Sequence, residues 1–171
     1  MGLFEKTRIQ SRRYVRMTCV TCAILIFATI AARAQEISPK ALEAVAEPFR
    51  QQLVERLGLY VRYQRTKQYD KLYDLFSPST IHTVFNDQTR EEFVRAYQKG
   101  DAERTSVRLL EFKPTTIQKI EGNDAADQYV IQGRAEVFQM GESVNKRSVA
   151  VVAQLLNGKW YFSPFMDALA N

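Results

Sequence analysis

Residues 149–162, "VAVVAQLLNGKWYF", decide the fold. Asn157-Gly158 stands between two runs that alternate in polarity, the strongest short-range signal for a two-residue β-hairpin. The turn sets a register in which Leu156 faces Lys159, Leu155 faces Trp160 and Ala153 faces Phe162. Val149, Val151, Ala153, Leu155, Trp160 and Phe162 then share one apolar face. The other face keeps Ala150, Val152, Leu156 and Tyr161, more apolar than a fully wetted sheet requires.

Towards the N-terminus the period-2 pattern reaches back to about Arg108. It predicts strands over Glu111–Glu121, Gln128–Phe138, Val144–Leu156 and Lys159–Phe165, with turns at Gly122-Asn123-Asp124 and Gly141-Glu142. A three-residue loop at Gly141–Ser143 places Tyr129, Ile131, Gly133 and Ala135 on the hairpin's apolar face. Before Arg108 the period is helical. Ser38-Pro39 reads as an N-cap with proline at the first helical position. Leu42, Val45, Phe49, Leu53, Leu57, Tyr60, Val61 and Gln64 follow at steps of three and four, interrupted at Pro48, where a missing backbone donor predicts a kink or break. "QYDKLYDLF" gives a short second helix that "SPST" ends. Thr89-Arg90-Glu91-Glu92 is a capping box opening a third helix that stops at Gly100. Helices first and a meander last predict an α+β fold, three N-terminal helices packed on a curved antiparallel sheet.

The first residues read as an address. Lys6, Arg8, Arg12, Arg13 and Arg16 precede an uncharged run from Met17 to Ala32, and Ala32-Arg33-Ala34 is a small-x-small cleavage pattern. Residues 1–34 are therefore expected to be a signal peptide cut after Ala34, and residues 35–171 a single domain, periplasmic or secreted. The uncharged run covers ~24 Å as a helix, short of a hydrocarbon core of about 30 Å, so membrane contact is expected only if the segment stays uncleaved. Arg12-Arg13 also begins a partial twin-arginine motif, which Arg16 interrupts, so the general export route is preferred.

Removing that segment changes the electrostatics. It carries six of the 24 Lys and Arg and one of the 19 Asp and Glu, which leaves 18 of each. A chain of zero formal charge has no footprint for nucleic acid. Cys19 and Cys22 leave with it, which removes thiol nucleophiles, disulfides and Cys-ligated metals. With one histidine, no metal site is expected, and no phosphate-binding Gly-rich loop, dinucleotide fingerprint or serine-nucleophile elbow is present, so no cofactor is expected either.

The long first helix, "YDKLYDLFSPST", "TREEFVRAY" and the terminal "NGKWYFSPF" together resemble the nuclear transport factor 2-like superfamily over roughly residues 40–165. The resemblance implies a cone-like α+β barrel of helices wrapped by a curved sheet. Its members include isomerases, dehydratases and polyketide cyclases as well as domains that only bind or dimerise, so fold does not deliver function. In the enzymes the segment after the second helix commonly supplies a base. Here it reads "TIHTVFND", with no carboxylate between Thr80 and Phe85.

His82 is consequently the sharpest catalytic candidate, being suited to proton transfer near neutral pH, with Tyr60 or Tyr63 as the hydrogen-bond donor. Tyr73, Trp160 and Phe162 are candidates to line a ligand pocket. Against these stand plainer roles: a surface histidine, and aromatic bodies in a core. The poor acid–base set favours non-catalytic binding of a small apolar ligand or a protein partner, with a homodimer through the outer sheet face, where Val152, Leu156 and Tyr161 fall. The alternative is a cofactor-free isomerase, dehydratase or cyclase using His82 with a tyrosine of the first helix.

Overall fold

The computed structural model describes residues 37, 39–121, 127–139 and 144–168; the expected signal segment and the expected turns at 122–124 and 141–143 lie outside them. The fold is α+β. Among the described residues five helices fall between residues 39 and 102, the middle of the chain, followed by a five-stranded antiparallel sheet.

Helix α1 (Pro39–Leu42) and helix α2 (Phe49–Arg65) are separate, the break expected at Pro48 falling over residues 43–48. Helix α2 buries Leu53, Leu57, Tyr60, Val61 and Gln64, the stripe its spacing predicts. Helix α3 (Tyr69–Tyr73) is short, little more than one turn. The "SPST" segment does not simply end it. Ser77 Oγ accepts a hydrogen bond from the Thr80 amide at 3.1 Å, and Pro78 takes the first position of helix α4 (Pro78–Phe85). A serine cap followed by proline thus starts α4, and "TIHTVF" is helical. Asn86, in the left-handed region at φ 49°, closes it. Helix α5 (Arg90–Ala102) has the expected capping box: the Thr89 amide donates to Glu92 Oε2 at 2.9 Å and the Glu92 amide to Thr89 Oγ1 at 3.3 Å.

Strands β1 (Val107–Ile120), β2 (Asp127–Gln139), β3 (Asn145–Leu156) and β4 (Lys159–Phe162) lie side by side, and β5 (Met166–Asp167) pairs with β3 beyond the end of β4. Asn157 and Gly158 have φ of 50° and 74°, the pair of positive angles that a tight hairpin turn needs. Leu155 faces Trp160 and Ala153 faces Phe162, as expected. Tyr129 pairs with Ala153, Ile131 with Val151 and Gly133 with Val149, so all three stand on the hairpin's apolar face.

The sheet is open, which corrects the expected barrel. Its curvature is concentrated in β1, where bulges lie between Leu109 and Glu111 and between Pro114 and Thr116. Each bulge adds a residue on one strand only and bends the ladder. The buried apolar residues of β1 therefore fall at uneven steps: Leu109, Phe112, Pro114 and Ile117. At the bend the β1 backbone crosses close to Gly133. A Cβ placed there would lie 2.3 Å from the Lys113 carbonyl oxygen and 2.8 Å from the Phe112 ring. Only glycine fits.

Helix α2 fills the hollow so formed. The Trp160 indole donates to the Phe49 carbonyl at 3.1 Å, Arg56 Nε donates to the Trp160 carbonyl at 2.7 Å, and the Phe162 amide donates to the Leu75 carbonyl at 2.8 Å. The outer edge of the sheet is thereby sewn to the helices rather than to β1, a physical reason why the sheet needs no closure.

The bend gives a paired prediction. Gly133→Ala should destabilise the chain by about 3 kcal/mol in guanidinium unfolding, as overpacking against backbone does. Gly58→Ala, in the middle of α2 with open space around its Cβ position, should instead stabilise it by about 0.5–1 kcal/mol. Equal effects at the two sites would contradict this account of the curvature.

Candidate functional site

A cavity of about 360 Å³ lies where the C-terminal half of α2 meets α5 and the open end of the sheet's concave face. Its walls are mostly apolar, from Tyr60, Leu72, Phe76, Tyr97, Val107, Pro164, Phe165 and Met166, and its polar groups are Gln64, Arg147 and Asp167. That volume is within the range of about 300–1,000 Å³ usual for small-molecule sites.

Tyr60 and Gln64 sit one helical turn apart on the buried stripe of α2. The Tyr60 ring packs 5.2 Å from Phe162, and its hydroxyl donates to the Ser163 carbonyl at 3.0 Å. Burial raises the Tyr60 pKa well above the ordinary tyrosine value, so the hydroxyl stays protonated. Gln64 is only 4 % exposed. Its Oε1 accepts from the Leu109 amide at 3.2 Å, while its Nε2 has no hydrogen-bond partner.

Tyr97 comes from α5, its ring 4.5 Å from Phe93 and 4.9 Å from Tyr69. Burial pushes its pKa up to about 12. The Tyr69 beneath it is fixed by Asp101. That carboxylate accepts from the Tyr69 hydroxyl and from Ser106 Oγ, both at 2.6 Å, and pairs with Lys67 at 3.1 Å and Arg108 at 3.3 Å. Burial alone would raise the Asp101 pKa, but the hydrogen bonds from Ser106, Tyr69 and Lys67 and the Arg108 charge outweigh it and hold the carboxyl below its usual range. The Tyr69 pKa is raised, by burial first and by its bond to Asp101 second.

Arg147 and Asp167 meet through a bulge. β4 ends at Phe162, and Ser163 then gives its amide to the Val152 carbonyl at 2.8 Å and accepts from the Val152 amide on its own Oγ at 3.1 Å. Pro164 has no amide to continue the ladder. When pairing resumes, Asp167 stands opposite Val149, so the register has moved by one residue relative to β4 and the carboxylate faces the hollow. Arg147, opposite Ala135 on the same face, approaches Asp167 Oδ1 with Nε at 3.1 Å and donates from Nη1 to Oδ2 at 3.3 Å.

A second depression, about 440 Å³, lies over the charged rows Glu111, Lys113, Arg134, Glu136 and Lys146. Its charges largely answer one another, Lys113 with Glu111 at 3.1 Å and Lys146 with Glu136 at 3.4 Å. Although larger, it is lined mainly by charged side chains, and it shares Arg147 with the first cavity. The smaller cavity is the better site.

Of the residues singled out from sequence, only Tyr60 lines this cavity. His82 lies on α4, its side chain 71 % exposed, with Nδ1 2.8 Å from Asp87 Oδ2. It and Tyr60 are not brought to one pocket, because α4 turns Thr80 inward and leaves His82 to solvent. Tyr63 is half-buried beside Lys71, whose Nζ is 5.9 Å from its ring centre. Tyr73 donates to the Gln88 carbonyl at 2.8 Å and packs under Arg90, which is itself paired with Asp74. Trp160 and Phe162 are core residues, 0 % and 1 % exposed. On the outer sheet face Tyr161 carries Lys159 and Arg56 over its ring at 5.1 Å and 5.9 Å, so that face is less open than its composition suggests. Among the described residues no three metal-ligating side chains cluster.

The cavity residues not singled out from sequence include Gln64, Tyr97, Arg147 and Asp167. A polar Gln64 on an otherwise apolar helical stripe was the one signal on offer. No family model matches the chain, and no curated protein matches it.

The Asp101 knot makes a testable point about stability. Its folded pKa is depressed, so its contribution is complete above the unfolded aspartate value of about 4 and is lost as pH falls through the folded value. Asp101→Asn should cost about 3 kcal/mol at neutral pH, because Arg108 is left buried and unanswered. Unfolding free energies measured from pH 6 down to pH 2 should fall less steeply for the variant. Parallel curves would contradict the assignment.

Proposed function

We propose that this chain is an exported, non-catalytic binding domain that takes a small, mostly apolar ligand into the cavity between α2, α5 and the bulged end of the sheet. The observation that carries the reading is the composition of that cavity. Eight apolar or aromatic residues line it together with Gln64, whose buried amide donor has no hydrogen-bond partner among the described residues. An unpartnered buried donor costs about 1–3 kcal/mol, a cost that a ligand acceptor would relieve. Export rests on residues 1–34, whose order of basic, uncharged and small residues is that of a signal peptide.

The enzymatic alternative needs a base and an electrophile at one reacting atom. His82 is solvent-facing and outside the cavity, and the tyrosines that line it are protonated hydroxyls with raised pKa values. The cavity's own carboxylate, Asp167, is engaged by Arg147. That set is better suited to holding a molecule than to moving its protons.

The test is a titration of the full chain with the neutral apolar dye N-phenyl-1-naphthylamine. Its fluorescence should rise and saturate at one site per chain. Val107→Trp, which places an indole in the cavity wall, should weaken binding at least tenfold while unfolding stays cooperative. No saturable binding, or binding indifferent to Val107→Trp, would sink the proposal.

A further inference from the structure

The donors and acceptors around the cavity do not balance. Gln64 has spent its acceptor on the Leu109 amide, and among the described residues its buried Nε2 has no hydrogen-bond partner. The Tyr60 hydroxyl already donates, to Ser163. Arg147 is the one cation, and it is occupied by a carboxylate of the chain itself. An unspent donor and a guanidinium lining one cavity call for an acceptor that bears negative charge.

Asp167 is a poor permanent partner for Arg147. It sits on a two-residue strand, its side chain is 66 % exposed against 29 % for Arg147, and Nε of Arg147 approaches it without hydrogen-bond alignment. An ion pair so exposed at one end is worth about 0–1 kcal/mol, little enough for a better-placed anion to displace it. A carboxylate entering the cavity would meet a guanidinium in its wall, and the released Asp167 would return to water at small cost. A cationic or purely hydroxylic ligand has no such exchange to make.

We infer that Arg147 is an anion receptor held in reserve by Asp167, and that the ligand is an apolar monocarboxylate whose head group takes the place of Asp167. The inference rests on the reading of this cavity as a ligand site and names the class of ligand. No bond is made or broken: one carboxylate replaces another on the same cation.

The experiment compares decanoate with decanol, which share an apolar chain and differ in the head group, by calorimetric titration of the full chain at neutral pH and low salt. Decanoate should bind at least tenfold more tightly than decanol. In Arg147→Gln the ratio of the two affinities should fall to about one. Asp167→Asn, which removes the competitor and keeps the cation, should strengthen decanoate binding several-fold. If decanol binds as well as decanoate to the unaltered chain, or if Asp167→Asn weakens decanoate, the carboxylate inference is overturned and the cavity reading stands. If neither molecule binds, both are overturned.

Discussion

The Lys113 carbonyl lies so close to Gly133 that no side chain fits between them, and from that contact much of the architecture follows. Two bulges in β1 bring its backbone over β2 at this point, and the sheet curls without closing. Because it curls, Val137, Ile131, Val149 and Val151 form a concave face that one amphipathic helix can fill. Because it stays open, its far edge is available to the helices, through Trp160 to Phe49 and Phe162 to Leu75. A flat sheet would offer neither arrangement.

The helix does not fill the hollow to its end. Leu53 and Leu57 are sealed against the sheet, whereas one turn further on Tyr60 and Gln64 border a space that Tyr97 and Phe165 wall without occupying. The bulge at Ser163–Phe165 sets the chemistry there. A single-residue change in pairing turns Asp167 towards Arg147, where the β4 register would have turned it away. Packing thus makes the cavity, and one irregularity of the last strand gives it charge. The Asp101 knot steadies the opposite wall by fixing Tyr69 against Tyr97.

Much of the fold was legible because its signals are local. Asn157-Gly158 needs only its own positive φ angles, Thr89 to Glu92 only one turn of helix, and the hairpin register follows from both. The start of β1 was misplaced because strict alternation cannot describe a strand whose buried apolar positions step from Leu109 to Phe112 to Pro114 to Ile117. Helix α4 was missed although Ser77-Pro78 spells the same start as Ser38-Pro39, since a short apolar run does not separate helix from loop. The site was far less legible. Aromatic residues mark a core and a pocket equally well, so Trp160 and Phe162 were reasonable candidates that proved buried, and Tyr60 alone borders the space. Arg147 and Asp167 are twenty positions apart and meet only through a bulge that no composition announces.

The central claim is that the space bounded by Tyr60, Gln64, Tyr97 and Phe165 is where a ligand enters. Backbone amide shifts of the isotope-labelled full chain, recorded during separate titrations with decanoate and decanol, test it most directly. The largest changes should fall on Gln64, Tyr97, Val107, Phe165 and Met166, which come from four separate stretches of the chain and line one cavity. Changes centred instead on His82 and Asp87, or on the outer face at Val152 and Tyr161, would contradict it.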